Sequence, residues 1–347
     1  MSYTLITGGL GYIGTHICVE LEKITDKIII IDNFCNSSRN IEINLKKLVS
    51  TITVLQCDLL NINILRGIFA TYNITSVIHL ASLKSINESI KHPIMYYDNN
   101  ITGTLNLLKV MKDHNCFNLV FSSSASVYGN QINQPISEST YNLSLLNNPY
   151  ANSKLFIETI LTDISKDTNW NIIILRYFNP VGCHPSGLIG ELPKNKPSNL
   201  FPSIIDVYKG NVDCLNIYGT DYNTKDGSCI RDFIHVVDLA RAHICVLNYI
   251  NLNKKINGIK IYNVGTGIGY SVFDIINCFN KHIKNKIKIK YCKRRSGDIP
   301  ICYADNKLIL QDLDWKPFYN LDNMVTDSLK WANNINSVRG ISNSLYY

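Results

Sequence analysis

The stretch Thr7-Gly8-Gly9-Leu10-Gly11-Tyr12-Ile13-Gly14 decides how the rest of the chain is read. It follows a short β-branched run, Tyr3–Thr7, and opens an amphipathic segment, Gly11–Lys23. Gly8 permits a tight turn, Gly11 lets backbone approach a pyrophosphate, and Gly14 lets a helix pack closely on a strand. The helix N-terminus then points free N–H groups at phosphate charge. A glycine cluster alone also fits a plain turn; the strand before it and the helix after it give it weight. Asp32 ends the second candidate strand, 18 residues beyond Gly14. A carboxylate there accepts hydrogen bonds from a ribose diol and repels a 2′-phosphate, which favours NAD over NADP. The competing reading of Asp32 is a helix cap. Asp58, closing Gln56-Cys57-Asp58, either reaches an adenine amino group or merely caps a turn.

Working outward, candidate strands fall at Tyr3–Thr7, Lys27–Asp32, Thr53–Cys57, Ser76–Leu80, Asn118–Ser122 and Asn171–Tyr177. Helical patterns lie between them at Gly11–Lys23, Ile62–Tyr72, Pro93–His114 and Pro149–Lys166. This alternation predicts an α/β fold, a Rossmann-type doubly wound parallel sheet covered on both faces. Such sheets bind ligands at the carboxyl ends of their strands. After Phe178 the pattern changes. Asn179–Pro202 reads as a long loop, followed by a helix at Phe201–Lys209, a hairpin-like segment at Leu215–Asp232 and a helix at Val237–Tyr249. A strand at Lys260–Val264 returns to the sheet. The expectation is an NAD-binding domain of residues 1–178 plus about 235–264, with a smaller, discontinuous α/β substrate domain from 179–234 and 265–347.

Composition bounds the function. With 46% hydrophobic and 18% charged residues, the 347-residue chain has the make-up of a globular protein with a sizeable core. The net charge of +7 is mild, and its densest cluster, Lys284–Arg295, is broken at strand-like spacing. A solvated strand with an anion-binding end suits that cluster better than a nucleic-acid patch. Eleven scattered cysteines show no zinc-ligand spacing, so no metal site is expected. No apolar run approaches the roughly 20 residues that span a bilayer, and no signal peptide precedes the first strand. The expectation is reduced thiols in a cytoplasmic protein with neither membrane nor nucleic-acid partner.

Tyr150 and Lys154 stand four apart in Pro149-Tyr-Ala-Asn-Ser-Lys, so both side chains share one helix face. A tyrosine is a poor base at neutral pH, and a nearby ammonium favours its phenolate. The pattern gains force from Ser122-Ser123-Ser124-Ala125-Ser126-Val127-Tyr128-Gly129, which ends the fifth strand on the ligand side. A strand-end serine there meets a substrate oxygen, or alternatively caps the turn. Nucleotide loop, strand-end serine and Tyr-x-x-x-Lys together describe hydride transfer at a carbinol.

On these residues the chain resembles the extended short-chain dehydrogenase/reductase superfamily, and within it the UDP-hexose 4-epimerase branch. The likeness runs through TGGLGYIGTH, IDNFCNS, VIHLASLKSINES, YYDNNITGTLNLL, FSSSASVYG, PYANSKLFIE, LRYFNPVGCHPSG, RDFIHVVDLA, YNVGTG and RRSGD. The resemblance implies that Tyr150 takes the proton of the sugar 4-hydroxyl while hydride passes from C4 to NAD⁺. The 4-keto sugar then turns over and takes the hydride back on its other face. Ser124 would bind the reacting oxygen, and Lys154 the nicotinamide ribose. Besides the glycines and Asp32, it places Tyr12, Ile13, Asn33, Asn36, Ser37, Leu59, Leu80, Ala81, Lys84, Asn99 and Phe178 against the cofactor. Lys84, Asn179, Asn199, Leu200, Asn216, Tyr218, Arg231, Arg295 and Asp298 are placed against the UDP-sugar. A homodimer through Pro93–His114 and Pro149–Lys166 is also implied.

Cys302 stands where members of the branch carry either a bulky Tyr or a small Cys beside the sugar 2-substituent. A thiol there leaves room for an N-acetyl group, so the UDP-GlcNAc/UDP-GalNAc pair is expected alongside UDP-Glc/UDP-Gal; the plainer reading is a buried structural cysteine. The chain departs from the family pattern at Leu80, Ser82, Ala151, Asn152 and Ser198, none of which removes a reacting group. Two other readings compete. A sugar-nucleotide 4,6-dehydratase needs an Asp-Glu pair where Ala125 and Ser126 stand, and a non-catalytic NAD sensor would have no need of Ser124, Tyr150 and Lys154 together.

Overall fold

The computed structural model describes residues 2–25, 27–140, 146–166, 169–194, 197, 199–252, 256, 258–295 and 297–339, with side chains to 335. Ser198 lies outside the described residues. The chain begins in strict alternation: β1 (Tyr3–Thr7), α1 (Tyr12–Glu22), β2 (Ile28–Asp32), α2 (Arg39–Leu45), β3 (Ile52–Gln56), α3 (Ile62–Thr71) and β4 (Ile74–His79). Then come α4 (Ile86–Lys91), α5 (Pro93–Tyr97), a π-helical turn (Asp98–Thr102), α6 (Gly103–Asp113), β5 (Asn118–Ser124), α7 (Pro149–Ile164) and β6 (Asn171–Tyr177).

The remainder holds β7 (Asn179–Val181), α8 (Leu200–Tyr208), β8 (Leu215–Tyr218), β9 (Ile230–His235), α9 (Val236–Leu252) and β10 (Ile259–Val264). It closes with β11 (Gly269–Ser271), α10 (Val272–His282), β12 (Ile289–Cys292), β13 (Ile301–Cys302), α11 (Lys307–Leu313) and α12 (Leu321–Arg339). Among the described residues, no helix is long and apolar enough to cross a membrane.

Seven parallel strands form the main sheet in the order β10-β6-β5-β4-β1-β2-β3. The order reverses between β1 and β4, which opens a crevice beyond their carboxyl ends. Neighbouring residues of one strand face opposite cores. Leu5 and Ile29 join Leu65, Leu107 and Leu161 on one side. Ile6 and Ile30 join Ile17, Leu239 and Val246 on the other. Because both faces are covered, β2 is a run of four isoleucines with at most 1% exposure each. Burial of each is worth about 1.5–3 kcal/mol. As expected, the strand at 259–264 returns to this sheet, pairing with β6 along its whole length.

Four expectations need correction. The segment Leu215–Asp232 is not a hairpin. β8 pairs with β12, whereas β9 joins a separate sheet with β7, β11 and β13. The glycine-rich turn between β8 and β9 does close on itself, with Tyr222 N donating to Gly227 O at 2.9 Å. Its flanking strands nevertheless pair elsewhere and not with each other. The long loop after Phe178 contains a short strand, β7, beside β9. The helix expected as one piece at Pro93–His114 is interrupted by the π turn, which aims Asn100 inward. β5 also runs two residues past Ser122, because Ser123 and Ser124 continue the pairing with Arg176 and Tyr177.

Candidate functional site

The glycine loop sits at the mouth of the β1/β4 crevice. Gly8 adopts a φ of +66°, and a Cβ there would lie 2.9 Å from the Ala81 backbone. A Cβ on Gly14 would lie 2.6 Å from Gly9 Cα, so only hydrogen allows the helix this close to the loop. Gly11 is the N-cap of α1, no side chain caps that terminus, and no acidic residue stands in its first turn. Such an end favours an anion. Tyr12 opens α1 and donates its hydroxyl to Gly182 O at 2.6 Å; Ile13 packs against the core beside it.

Asp32 is buried and already engaged. It accepts from Leu10 N at 3.1 Å, Phe34 N at 2.9 Å and Ser37 Oγ at 2.7 Å. The helix-cap reading does not hold, because Ser38 caps α2 and no side chain caps α1; the carboxylate instead shapes the glycine loop and still has acceptor capacity for a diol. Asp58 accepts from Leu60 N and from Asn33 Nδ2, each at 2.9 Å, which is the turn-capping reading. Asn36 is exposed, and Leu59 is buried against Gly103. The donor set fits a dinucleotide: a cradle a Cβ would fill, an uncapped helix end and a buried carboxylate one strand away.

A polar chain that sequence reasoning missed ties the crevice together. Leu80 N and Ala81 N both donate to Thr7 Oγ1 at 3.2 Å, and Thr7 Oγ1 lies 2.7 Å from His79 Nδ1. His79 Nε2 lies 2.8 Å from Thr104 Oγ1, which donates to Asn100 O at 2.6 Å. The donors balance only with Thr7 donating to Nδ1 and the ring proton on Nε2. Burial lowers the His79 pKa to about 3, so the ring is neutral. Asn100, rather than its neighbour Asn99, is the buried residue of the π turn. Its side chain bonds Leu83 N at 2.8 Å, Leu83 O at 3.1 Å and Ser153 Oγ at 3.0 Å.

The expected catalytic residues meet at the end of β5. Pro149 opens α7 after the N-cap Asn148, whose side chain accepts from Ala151 N at 2.8 Å. That places Tyr150 in the first turn, close enough to Ser124 to feel its hydroxyl. Lys154 is 2% exposed and donates to Ser122 O at 2.7 Å. Burial raises the Tyr150 pKa, and Ser124 and the Lys84 cation offset part of that rise. Lys154 has itself lost charge affinity: burial lowers its pKa to about 7, partly offset by Glu158. Lys84 pairs with Glu191 at 3.0 Å, and that carboxylate holds its pKa up. Ser126 Oγ is buried with no partner among the described residues, an open polar position beside Ser124.

The residues assigned to a UDP-sugar come from several elements. Phe178 is buried near Tyr128 and donates its N–H to Val264 O at 3.2 Å. Asn179 opens β7, Asn199 is the N-cap of α8 without a side-chain bond, and Leu200 is the first residue of that helix. Asn216 and Tyr218 share the more open face of β8. The Arg295 guanidinium stacks 3.9 Å above the Tyr218 ring, and Asp298 N donates to Arg295 O at 3.3 Å. In the same basic stretch, Arg294 pairs with Asp221 at 2.8 Å. Arg231 and Cys302 are register partners of β9 and β13. Cys302 is 7% exposed and packs with Val127, Tyr128, Leu155 and Phe178. Burial raises its thiol pKa to about 11. All eleven cysteines are free thiols.

Comparison with known proteins now adds to this geometry. A family model described as the NAD dependent epimerase/dehydratase family matches residues 4–265. The chain is 46% identical to a UDP-glucose 4-epimerase of Dictyostelium discoideum, over 94% of each protein. The crystal structure of a Bifidobacterium longum UDP-glucose 4-epimerase in complex with NAD⁺ and UDP superposes with a TM-score of 0.91. That protein is 43% identical, over 96% of this chain and 98% of the other. A UDP-Glc/GlcNAc 4-epimerase from Campylobacter jejuni is similar in structure at a TM-score of 0.82 and 32% identity, over 96% of this chain and all (100%) of the other. The chain belongs to the NAD dependent epimerase/dehydratase family.

Proposed function

We propose that this protein is an NAD-dependent UDP-glucose 4-epimerase interconverting UDP-galactose and UDP-glucose. The observation that carries the reading is the seating of α7, which bears Tyr150 and Lys154, against the end of β5, with Lys154 donating to Ser122 O at 2.7 Å, beside the crevice that the glycine loop borders. Bound NAD supplies a two-electron acceptor that is restored each cycle. Gly8, Gly11 and Gly14 let the backbone and the α1 N-terminus approach its pyrophosphate. Asp32 takes the adenine ribose. Lys154, held by Ser122 O at 2.7 Å, takes the nicotinamide ribose. Tyr150 removes the proton of the sugar 4-hydroxyl and later returns it, while Ser124 holds the same oxygen.

On the substrate side, Arg231 and Arg295 neutralise the diphosphate, and Tyr218, Asn199 and Asn216 border the uracil. A domain division at about 178, 235 and 264 is part of this proposal, and under it the pocket would lie over the carboxyl edge of the sheet. Ile90, Ile94, Met95 and Phe156 are exposed apolar side chains on α4, α5 and α7. They support a second copy of this chain as the occupant of that face, checked by sedimentation equilibrium: a dimer supports the reading and a monomer removes it.

The test is interconversion of UDP-galactose and UDP-glucose by the purified protein without added NAD. Turnover supports the proposal. A 4-keto-6-deoxy product would make the protein a dehydratase, and no turnover with bound NAD would make it a sensor. The N-acetylated pair is proposed as a further substrate because Cys302 is small. Cys302→Tyr is expected to lower kcat/KM on that pair by at least about tenfold, the scale of a pocket volume change, and to spare the simple hexoses. Full retention on the N-acetylated pair would overturn it.

A further inference from the structure

The segment from Gly182 to Lys194 is fastened at several points. Tyr12 Oη donates to Gly182 O at 2.6 Å and Trp331 Nε1 to Glu191 O at 3.2 Å. Lys194 Nζ donates to Phe34 O at 2.6 Å and Cys35 O at 2.8 Å. A Cβ on Gly190 would lie 2.6 Å from Cys183 Sγ and 2.8 Å from the Trp331 ring, so the backbone before Glu191 is wedged against α12. The Glu191 side chain, 16% exposed, then reaches Lys84 Nζ at 3.0 Å.

Lys84 is fixed from the other side through its backbone neighbour. Leu83 N and O are both held by the Asn100 amide, which also donates to Ser153 Oγ at 3.0 Å. Ser153 Oγ donates in turn to Tyr150 O at 2.8 Å. The turn carrying Lys84 is therefore tied to the turn carrying Tyr150. Its ammonium is a different matter: the side chain is 57% exposed and, unpaired, would sample solvent.

We propose that Glu191 is a positioning residue for the reaction, holding the Lys84 ammonium on the Tyr150 side of the pocket. The inference rests on Tyr150 as the base. Lys84 is the cation that favours the Tyr150 phenolate against the cost of burial, and Lys84 in turn feels Glu191 first and Tyr150 more weakly. The pair thus exchanges one flexible surface charge for a fixed one near the reacting oxygen.

The experiment measures kcat and KM against pH for the NAD-loaded wild type, Glu191→Ala, Glu191→Gln, Lys84→Met and the Glu191→Ala/Lys84→Met double variant. Loss of the positioned cation raises the Tyr150 pKa, so the acid limb of kcat moves to higher pH. Below that limb, each unit of movement costs about tenfold in rate. Glu191→Ala and Lys84→Met are expected to move the limb by similar amounts, with KM within about twofold. The double variant is expected to resemble Lys84→Met, because one interaction is removed twice. Glu191→Gln keeps an acceptor oxygen and is expected to retain more kcat than Glu191→Ala. An unmoved limb in Glu191→Ala, or a double variant whose losses add, overturns the role of Glu191. Absence of wild-type turnover removes the epimerase reading itself, a separate outcome seen first. Retained NAD absorbance and an unchanged melt show that the variants are folded.

Discussion

Arg176 and Glu158 form a two-point ion pair inside the protein, with Nε to Oε1 at 3.1 Å and Nη2 to Oε2 at 2.6 Å. Their side chains are 2% and 4% exposed. The remaining Arg176 donors reach Tyr128 Oη at 3.0 Å and Glu138 O at 3.1 Å, and Ser123 Oγ donates to Glu158 Oε1 at 2.5 Å. The network locks β5, β6 and α7 together one residue behind Ser124.

Breaking that pair leaves a buried charge uncompensated. Glu158→Gln is expected to cost about 3–5 kcal/mol, whereas Glu158→Leu with Arg176→Met is expected to recover much of the loss. Urea melts of the three proteins check the order.

Tyr150→Phe removes the proposed base without changing the pocket shape. A general base contributes about 10²–10⁴-fold, so kcat is expected to fall by that range with KM little changed. Steady-state rates with UDP-galactose measure it.

Lys154 gives a pH signature in the NAD-free protein. Its folded pKa is about 7, below the ordinary 10.5, because burial disfavours the ammonium. Between those values the unfolded chain binds the extra proton, so stability rises with pH across this window; below pH 7 the cost of burying the charge is fully present. Relative to Lys154→Met, the wild-type Tm is therefore expected to improve from pH 7 to 10. A pH-independent difference between the two melts would contradict this.

Two glycines separate strain from propensity. Gly67 stands exposed in α3 with nothing within 4 Å of an added Cβ. Gly67→Ala is expected to stabilise by about 1 kcal/mol. Gly14→Ala, whose Cβ meets Gly9 at 2.6 Å, is expected to destabilise by about 1–3 kcal/mol and to purify with less NAD. Thermal melts and the absorbance of bound nucleotide report both.

The main sheet was legible because its strands are short β-branched runs whose burial leaves no choice of face. Tyr3–Thr7 and Asn171–Tyr177 were read to the residue. The other sheets were not, since strands such as Ile301–Cys302 are two residues long and exist only through distant partners. The grouping of Tyr150 and Lys154 on α7 beside the end of β5 was legible from motif spacing, but its support was hidden. Asn100 and Glu191 look like surface residues in sequence. Only the π turn and the wedged Gly190 reveal where they point.

β6 and β10 are neighbours in the sheet although residues 178–258 lie between them. During synthesis, a ribosome delivers that whole insertion before the outer edge of β6 can be paired. Until Val264 has emerged, Ile172–Leu175 presents open hydrogen-bonding groups and apolar side chains, a template for pairing with another nascent chain. The last strand to dock is therefore also the one that caps the sheet against aggregation. Chaperone demand should fall sharply once about residue 264 has cleared the exit tunnel, and a chain truncated short of β10 should be recovered mainly as aggregate.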